Sequence, residues 1–380
     1  MIKIIEYGAL TATRGGVESY IYNQIACLSE NEKSKQIQFD FLVPSEDEKL
    51  AYEDELKGYG CKFYRAYRRW ENSFFGHYVD LYHFFKNYSK DYDIAVGNYL
   101  DLQNINFLIV AKLFGLKTVA HAHSAHAARN SKYKILVAIN KVLGRIFIDN
   151  LFTCSSVAAN WMFGESLVKL KKNHYFQINN RIDAARFRFS SSVREKVRDQ
   201  LGLKSTTIVL GNTGRMVPGK NQLFIVDILN EYLKLNKDAV LIIVGEGPQK
   251  EAVAQKAAAL GIRDKVILPG SQSNIHEWLQ AMDVFIFPSL YEGLGISAIE
   301  SQAAGLLTFV SDNVPEDINV SDMCHCLSLN KPACFWAGEI DKYKSYARKD
   351  TYNIISNTGY DSNACKDEYL DIYKMIKEHK

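Results

Sequence analysis

Short apolar runs punctuate this chain at regular intervals, and between them apolar residues recur every three or four positions. The runs read as strands buried on both faces and the recurring spacing as amphipathic helices. In the first half the predicted strands are Ile2 to Ile5, Ile37 to Val43, Ile94 to Val96, Lys117 to Ala120 and Leu151 to Cys154. In the second half they are Ile208 to Gly211, Ala239 to Val244, Lys265 to Leu268, Val284 to Phe287 and Leu307 to Val310. Strands alternating with helices predict parallel sheets of strand-helix-strand units. The periodicity breaks between Asn179 and Ser192, where Asn-Asn-Arg-Ile-Asp and a Ser triplet intervene, so two α/β, Rossmann-like, doubly wound domains are expected. The final segment, Asp361 to Lys380, reads as a charged helix with an apolar stripe of Tyr369, Leu370, Tyr373 and Ile376.

A length of 380 residues suits two domains of similar size better than one core, and a 47% hydrophobic share fills both. No apolar run approaches the roughly 20 residues that cross a bilayer, and the N-terminus enters a strand without a signal-peptide pattern. The expectation is a soluble, cytoplasmic protein. Seven cysteines are scattered, and the spacing of Cys324 and Cys326 is neither redox-active nor zinc-binding, so reduced thiols are expected.

Net charge is only +3, with the basic excess in the first half. Between Lys62 and Lys90 the cations Arg65, Arg68, Arg69 and Lys86 interleave with aromatic residues that include Tyr64, Tyr67, Trp70, Phe74, Phe75, Phe84 and Phe85. Such a segment suits either an ordinary helix with an aromatic core side or a surface for anionic membrane and lipid diphosphate. Nucleic acid is disfavoured, because the chain lacks a strong basic bias and a nucleic-acid motif.

The densest chemistry lies in Pro288-Ser-Leu-Tyr-Glu-Gly-Leu-Gly-Ile-Ser-Ala-Ile-Glu300. Two carboxylates, Glu292 and Glu300, flank a glycine-rich turn that leaves a buried strand and opens a helix. Gly293 and Gly295 let backbone pass close to a ligand, and the first free N–H groups of the helix suit a diphosphate. Glu300, further into the helix, is within reach of ribose hydroxyls beside that diphosphate. Upstream, Arg215 and Lys220 sit on the Gly- and Pro-containing loop after the strand at Ile208, where loop cations neutralise a leaving diphosphate.

The Pro288–Glu300 segment resembles the donor-site signature of the retaining family-4 glycosyltransferases of GT-B fold, and the likeness extends over most of the chain. The resemblance implies two Rossmann-like domains facing a cleft. The acceptor-binding domain would span residues 1–185 plus the C-terminal helix at about 361–380, and the nucleotide-sugar domain 186–360. Gly214-Arg215 and Lys220 are similar to the family's Gly-Arg-x-x-x-x-Lys phosphate element, with Gly219 where an acidic residue is common. Gly245 and Gly247 match its Val-Gly-x-Gly-Pro turn, whose small residues allow close approach to the donor. Ser271 and Gln272 fall in the loop that meets the nucleobase, and Gly293, Leu294 and Gly295 in the diphosphate turn. In the first domain Gly15, Gly16 and Glu18 resemble a Gly-Gly-x-Glu element on the acceptor side; an ordinary helix cap is the competing reading. His121 and His123 share a face of one extended segment, and the resemblance favours His123 for the transferred sugar's 6-hydroxyl or a phosphate.

Asp91-Tyr-Asp93 has the Asp-x-Asp form of manganese-dependent transferases, but it precedes a strand, away from the sheet edge where ligands bind. No metal or cofactor is therefore expected. The resulting expectation is a retaining hexosyltransferase with Arg215, Lys220, Glu292 and His123 as its catalytic set, UDP-sugar as donor and a saccharide or lipid-linked saccharide as acceptor. Its place would be bacterial capsule, exopolysaccharide or cell-wall synthesis, in the cytoplasm and on the inner face of the membrane. A nucleotide-sugar 2-epimerase of the same architecture and a non-catalytic partner subunit are the alternatives.

Overall fold

The apolar runs become parallel strands because the segments between them are long enough to fold as crossover helices and return the chain to the same sheet edge. The computed structural model describes residues 1–8, 10–12, 15–29, 36–47, 49–123, 131–364 and 366–378. The chain divides into two units, Met1–Arg181 with Ser362–Lys380, and Ile182–Asp361. The second unit's two ends are tied together: the Ile182 N–H donates to the Tyr360 carbonyl at 2.9 Å, and Ile182 bridges to Asp361.

Among the described residues, the first unit holds seven strands: β1 (Ile2–Tyr7), β2 (Ile37–Pro44), β3 (Phe63–Tyr67), β4 (Ile94–Tyr99), β5 (Lys117–Ala122), β6 (Asn150–Thr153) and β7 (Tyr175–Gln177). They form one parallel sheet in the order β3-β2-β1-β4-β5-β6-β7. Alternate side chains enter opposite cores. Ile5, with Phe85, Phe107 and Leu151, packs under the helices Phe74–Tyr88, Asn106–Leu113 and Ser131–Phe147. Ile4, with Ile21, Phe41 and Val96, packs under Gly16–Ser29 and the C-terminal helix Lys366–Glu378. That last helix buries Tyr369, Leu370, Tyr373 and Ile376, the stripe legible in the sequence. Arg181, at the unit's edge, lies over the Tyr369 ring at 4.3 Å and pairs with Glu368.

The second unit holds six described strands, β8 (Ile208–Thr213), β9 (Ala239–Val244), β10 (Val266–Gly270), β11 (Val284–Phe287), β12 (Leu307–Ser311) and β13 (Cys324–Leu327). Their order is β10-β9-β8-β11-β12-β13, again parallel. A buried polar knot fastens the helix Ser191–Gln200 beneath this sheet. Arg198 donates to the carbonyls of Ala281, Lys204 and Thr207 and pairs with Asp283. Arg194 takes the other oxygen of Asp283 at 2.6 Å.

Three strands departed from the pattern read in the sequence. β3, β7 and β13 are short edge strands with half-exposed faces, so none writes a continuous apolar run. β1, β4, β5 and β8 run further than their apolar runs. Their last residues include Glu6, Asn98, His121 and Asn212, polar side chains that are nonetheless buried.

The basic and aromatic segment at Lys62–Lys90 resolves into β3 and the helix Phe74–Tyr88. Its arginines are engaged: Arg65 pairs with Glu53, Arg68 with Asp80, and Arg69 with Asp47. Tyr67, Phe84 and Phe85 are core, whereas Phe74 and Phe75 are exposed. Asp93, at the opposite end of β4 from the ligand edge, accepts from the Lys3 N–H and from Lys377.

Breaking the polar knot has a definite expected consequence. Arg198→Met removes this donor from the carbonyls of Lys204 and Thr207, leaves Ala281 only the 3.4 Å contact from Arg194, and leaves Asp283 Oδ2 only the Val209 N–H, at a cost of about 3 kcal/mol. Urea unfolding followed by circular dichroism should show the second unit's transition moving to lower denaturant, and a cost under about 1 kcal/mol would contradict this role.

Candidate functional site

Open parallel sheets bind ligands beyond the carboxyl ends of the strands where the strand order reverses. In the second unit that reversal lies between β8 and β11. The loop after β8 carries Gly214, Arg215 and Lys220, and the loop after β11 carries Glu292, Gly293, Leu294 and Gly295. The two loops are stitched together. The Leu290 N–H donates to the Gly219 carbonyl at 2.8 Å, and Asn221 Nδ2 donates to the Pro288 carbonyl at 3.2 Å. Asn221 takes the left-handed conformation, with φ 56°, to start the helix Gln222–Leu235.

At this seam Lys220 Nζ lies 2.6 Å from Glu292 Oε1, and the same ammonium stands 5.0 Å from the Phe287 ring centre. Two residues far apart in sequence are thus one ion pair at the switch point. Arg215 is exposed on its loop; its carbonyl accepts from Gln222 Nε2 at 3.1 Å. Gly219 stands where the resembling family commonly has an acid, and the exposed Tyr291 side chain leans over it. A Cβ there would stand 2.8 Å from the Tyr291 ring.

Gly295, with φ 99°, caps the helix Ile296–Ala303, whose first N–H groups are free of helical partners. Leu294 beside it is buried. Glu300 lies in the second turn of that helix, and burial pushes its carboxyl up to about 8, opposed by Arg186. Arg186, from the short helix Ala184–Phe187, was not singled out in the sequence; it sits outside every motif and meets Glu300 only through the fold.

Gly245 and Gly247 have a first task different from close approach to a donor. A Cβ on Gly245 would lie 2.1 Å from the Gly214 carbonyl oxygen, and one on Gly247 2.4 Å from that of Met216. Their absent side chains let the β9 loop pack backbone to backbone on the β8 loop, with Gly214 N–H to Val244 O at 2.9 Å and Met216 N–H to Glu246 O at 2.8 Å. They hold the Arg215 loop in shape. Ser271 is exposed after β10, and Gln272 donates to the Pro269 carbonyl at 3.0 Å.

In the first unit the order reverses between β1 and β4. There the structure assembles a buried chain that the sequence did not reveal. Asn98 Nδ2 donates to Glu6 Oε2 and to the Tyr7 carbonyl, which turns the amide oxygen toward His123 Nε2 at 2.8 Å. Nε2 therefore carries the proton. Nδ1 of His123 remains an acceptor, buried and without a partner among the described residues. Burial pushes His123 down to about 3, so the ring is neutral at physiological pH, and an uncharged acceptor suits a sugar hydroxyl better than a phosphate. The His121 ring lies beside it, tilted by 38° with ring centres 3.9 Å apart, and burial lowers it as well. Ser124, the end of that motif, lies outside the described residues.

Gly16 opens the helix Gly16–Ser29, and Glu18 folds back so that its Oε1 accepts from Thr11 Oγ1 at 2.6 Å. A Cβ on Gly15 would meet the other oxygen of Glu18 at 2.6 Å. Ala9, Thr13 and Arg14 of the same loop lie outside the described residues. Among the described residues no group of three or more His, Cys, Asp or Glu is arranged to hold a metal ion.

Glu6 gives this chain a pH signature. Burial raises its carboxyl to about 7, against an ordinary 4.5. Between those values the unfolded chain has lost the proton and the folded chain keeps it, so rising pH favours unfolding. The Glu6 contribution is complete below about 4.5 and gone by about 7, up to about 3 kcal/mol. His121 and His123 work in the opposite sense, so the difference between wild type and Glu6→Gln isolates the carboxyl. That difference, from urea unfolding at pH 4.5 and 7.5, should shift in favour of Glu6→Gln as pH rises; a flat difference would contradict the burial.

Residues 193–317 match the family described as glycosyl transferases group 1. Over 96% of its length the chain is 25% identical to a putative glycosyltransferase, EpsF, of Bacillus subtilis (strain 168), of which 94% is covered. It is 28% identical, over 79% of this chain and 76% of the relative, to the Escherichia coli UDP-Gal:alpha-D-GlcNAc-diphosphoundecaprenol alpha-1,3-galactosyltransferase. The structure of Anabaena HepE in complex with UDP-glucose superposes with a TM-score of 0.72 at 16% identity, covering 100% of this chain and 99% of that one. Two parallel Rossmann-like sheets and these likenesses make the chain a GT-B-fold protein whose residues 193–317 carry the glycosyl transferases group 1 segment.

Proposed function

We propose that this chain is a retaining glycosyltransferase that moves a sugar from a nucleoside diphosphate, with UDP as the base carrier, to a hydroxyl of a lipid-linked saccharide during surface-polysaccharide synthesis. The observation that carries the reading is the Lys220–Glu292 ion pair at the strand reversal of the second unit, beside the capped start of the helix Ile296–Ala303. An ammonium and free amide groups beyond a sheet's carboxyl edge form a site for a diphosphate. When the phosphates draw Lys220 away, Glu292 is released to accept from the sugar's hydroxyls. The E. coli relative, a galactosyltransferase named for a GlcNAc-diphosphoundecaprenol acceptor, supports the acceptor class. HepE supports the donor class, having been crystallised with UDP-glucose.

In this proposal bond breaking runs ahead of bond making. Arg215, Lys220 and the helix N-terminus stabilise charge on the departing diphosphate, the largest lever on such a barrier. The acceptor hydroxyl attacks from the side the diphosphate leaves and passes its proton to a phosphate oxygen, so that configuration is retained without a protein base. His123 Nδ1 accepts from a hydroxyl of the transferred sugar, held in its tautomer by Asn98 and Glu6. Glu300 meets the ribose, and Ser271 with Gln272 the base. The donor is held by the second unit, the acceptor side belongs to the first, with Gly15, Gly16 and Glu18 at its helix start, and no metal takes part.

A thermal-shift panel of UDP, GDP, ADP and their sugar conjugates, with and without chelator, should give its largest shift with a UDP compound and no response to chelator. Lys220→Ala should lower turnover about 10²-fold or more, measured by UDP release in the presence of acceptor. A change under about threefold would remove Lys220 from the mechanism.

A further inference from the structure

Exposed apolar side chains are not spread evenly over the first unit. On the helices Gly16–Ser29 and Lys366–Glu378, which cover one face of the sheet, the described large apolar residues are buried or half-buried apart from Met375. On the other face the helix Ser131–Phe147 turns a whole stripe outward. Ile135, Ile139, Val142 and Ile146 are 66%, 50%, 59% and 66% exposed, at steps of four, three and four residues that align them along one side. The helix is held firmly by its other side. Val137 is in the core, and Asn140 Nδ2 donates to the carbonyls of Leu102 and Gln103 at 2.8 and 2.9 Å.

Charge says what would cover this stripe. From Leu102 to Ile148 the sequence contains seven Lys and Arg and no Asp or Glu, and of the seven Lys112 is paired, with Asp149 just beyond. Two of the cations, Lys134 and Arg145, are exposed on the helix itself, one near each end of the stripe. A protein partner's helix or a second copy of this chain would pair the apolar stripe without demanding a stretch emptied of acid. An anionic bilayer demands both: apolar side chains that enter the acyl boundary and cations that meet the headgroups, without carboxylates to repel them. The segment at Lys62–Lys90, attractive in sequence, does not meet the second condition, because its arginines are already paired with Glu53, Asp80 and Asp47.

We propose that the outward face of the helix Ser131–Phe147 is an interfacial anchor that lays the first unit on an anionic lipid surface. The anchor rests on the first unit alone and adds to the proposed transfer reaction a way to meet acceptors held in a membrane.

The test uses the full chain with vesicles of phosphatidylcholine, with and without phosphatidylglycerol. Wild type should co-sediment with the anionic vesicles at low salt and be released as salt rises. Ile139→Glu with Val142→Glu, both at exposed positions, should weaken partitioning about 10-fold or more while circular dichroism and UDP-induced thermal shift stay as in wild type. Lys134→Glu with Arg145→Glu should abolish the preference for anionic over neutral vesicles. Equal sedimentation of wild type and the Ile139/Val142 variant would overturn the anchor. So would a wild type that ignores both vesicle types and elutes as a dimer that the same variant dissociates, since the stripe would then be covered by a second copy. Nucleotide binding is read separately, so loss of the vesicle result leaves the donor site standing, and loss of UDP binding leaves the anchor standing.

Discussion

The strand reversal of the second unit is organised around one contact, the ion pair between Lys220 and Glu292. It joins two loops that the strand reversal of the second sheet places side by side, and it sets a cation against the loop that leads into the helix Ile296–Ala303. Much of the surrounding structure serves that placement. Gly245 and Gly247 yield their side-chain space to the backbone of the Arg215 loop, Gly219 yields its own to Tyr291, and backbone hydrogen bonds tie the two loops together. A larger residue at Gly245 or Gly247 meets backbone and pushes the loops apart before it touches a ligand, whereas at Gly219 it meets only the exposed Tyr291 side chain.

The first unit answers with a different chemistry at the equivalent reversal. Its buried chain of Glu6, Asn98 and His123 is neutral at the histidine end and titratable at the carboxyl end. Two similar folds thus carry different chemistry at their strand reversals: an ion pair beside a helix start in one, an uncharged buried acceptor in the other. The same topology allows both, because the sheet determines only where side chains emerge, not which ones.

Central strands, helices and the loops with glycine and charge were legible in the sequence because burial on both faces writes an unbroken apolar run. The edge strands β3, β7 and β13 were not, since half-exposed strands mix polar and apolar residues; Arg65 sits in the middle of β3. The Glu292 and Lys220 loops could be recognised one by one, but their contact spans 72 positions and exists only through the sheet order. Glu6, Asn98 and Arg186 escaped for a related reason. Each is a single polar residue outside any motif, and its significance arises from what the fold sets against it: His123 for the first two, Glu300 for the third. The outward stripe on Ser131–Phe147 has the helical spacing of a core face, and only the fold reveals that it points away from the core.

The most direct measurement is a crystal structure of the chain soaked with a UDP-sugar. Diphosphate oxygens are expected within about 3 Å of Lys220 Nζ and of the amides that open the helix Ile296–Ala303, with Glu292 turned to the sugar. Nucleotide bound elsewhere, with Lys220 still paired to Glu292, would contradict this placement.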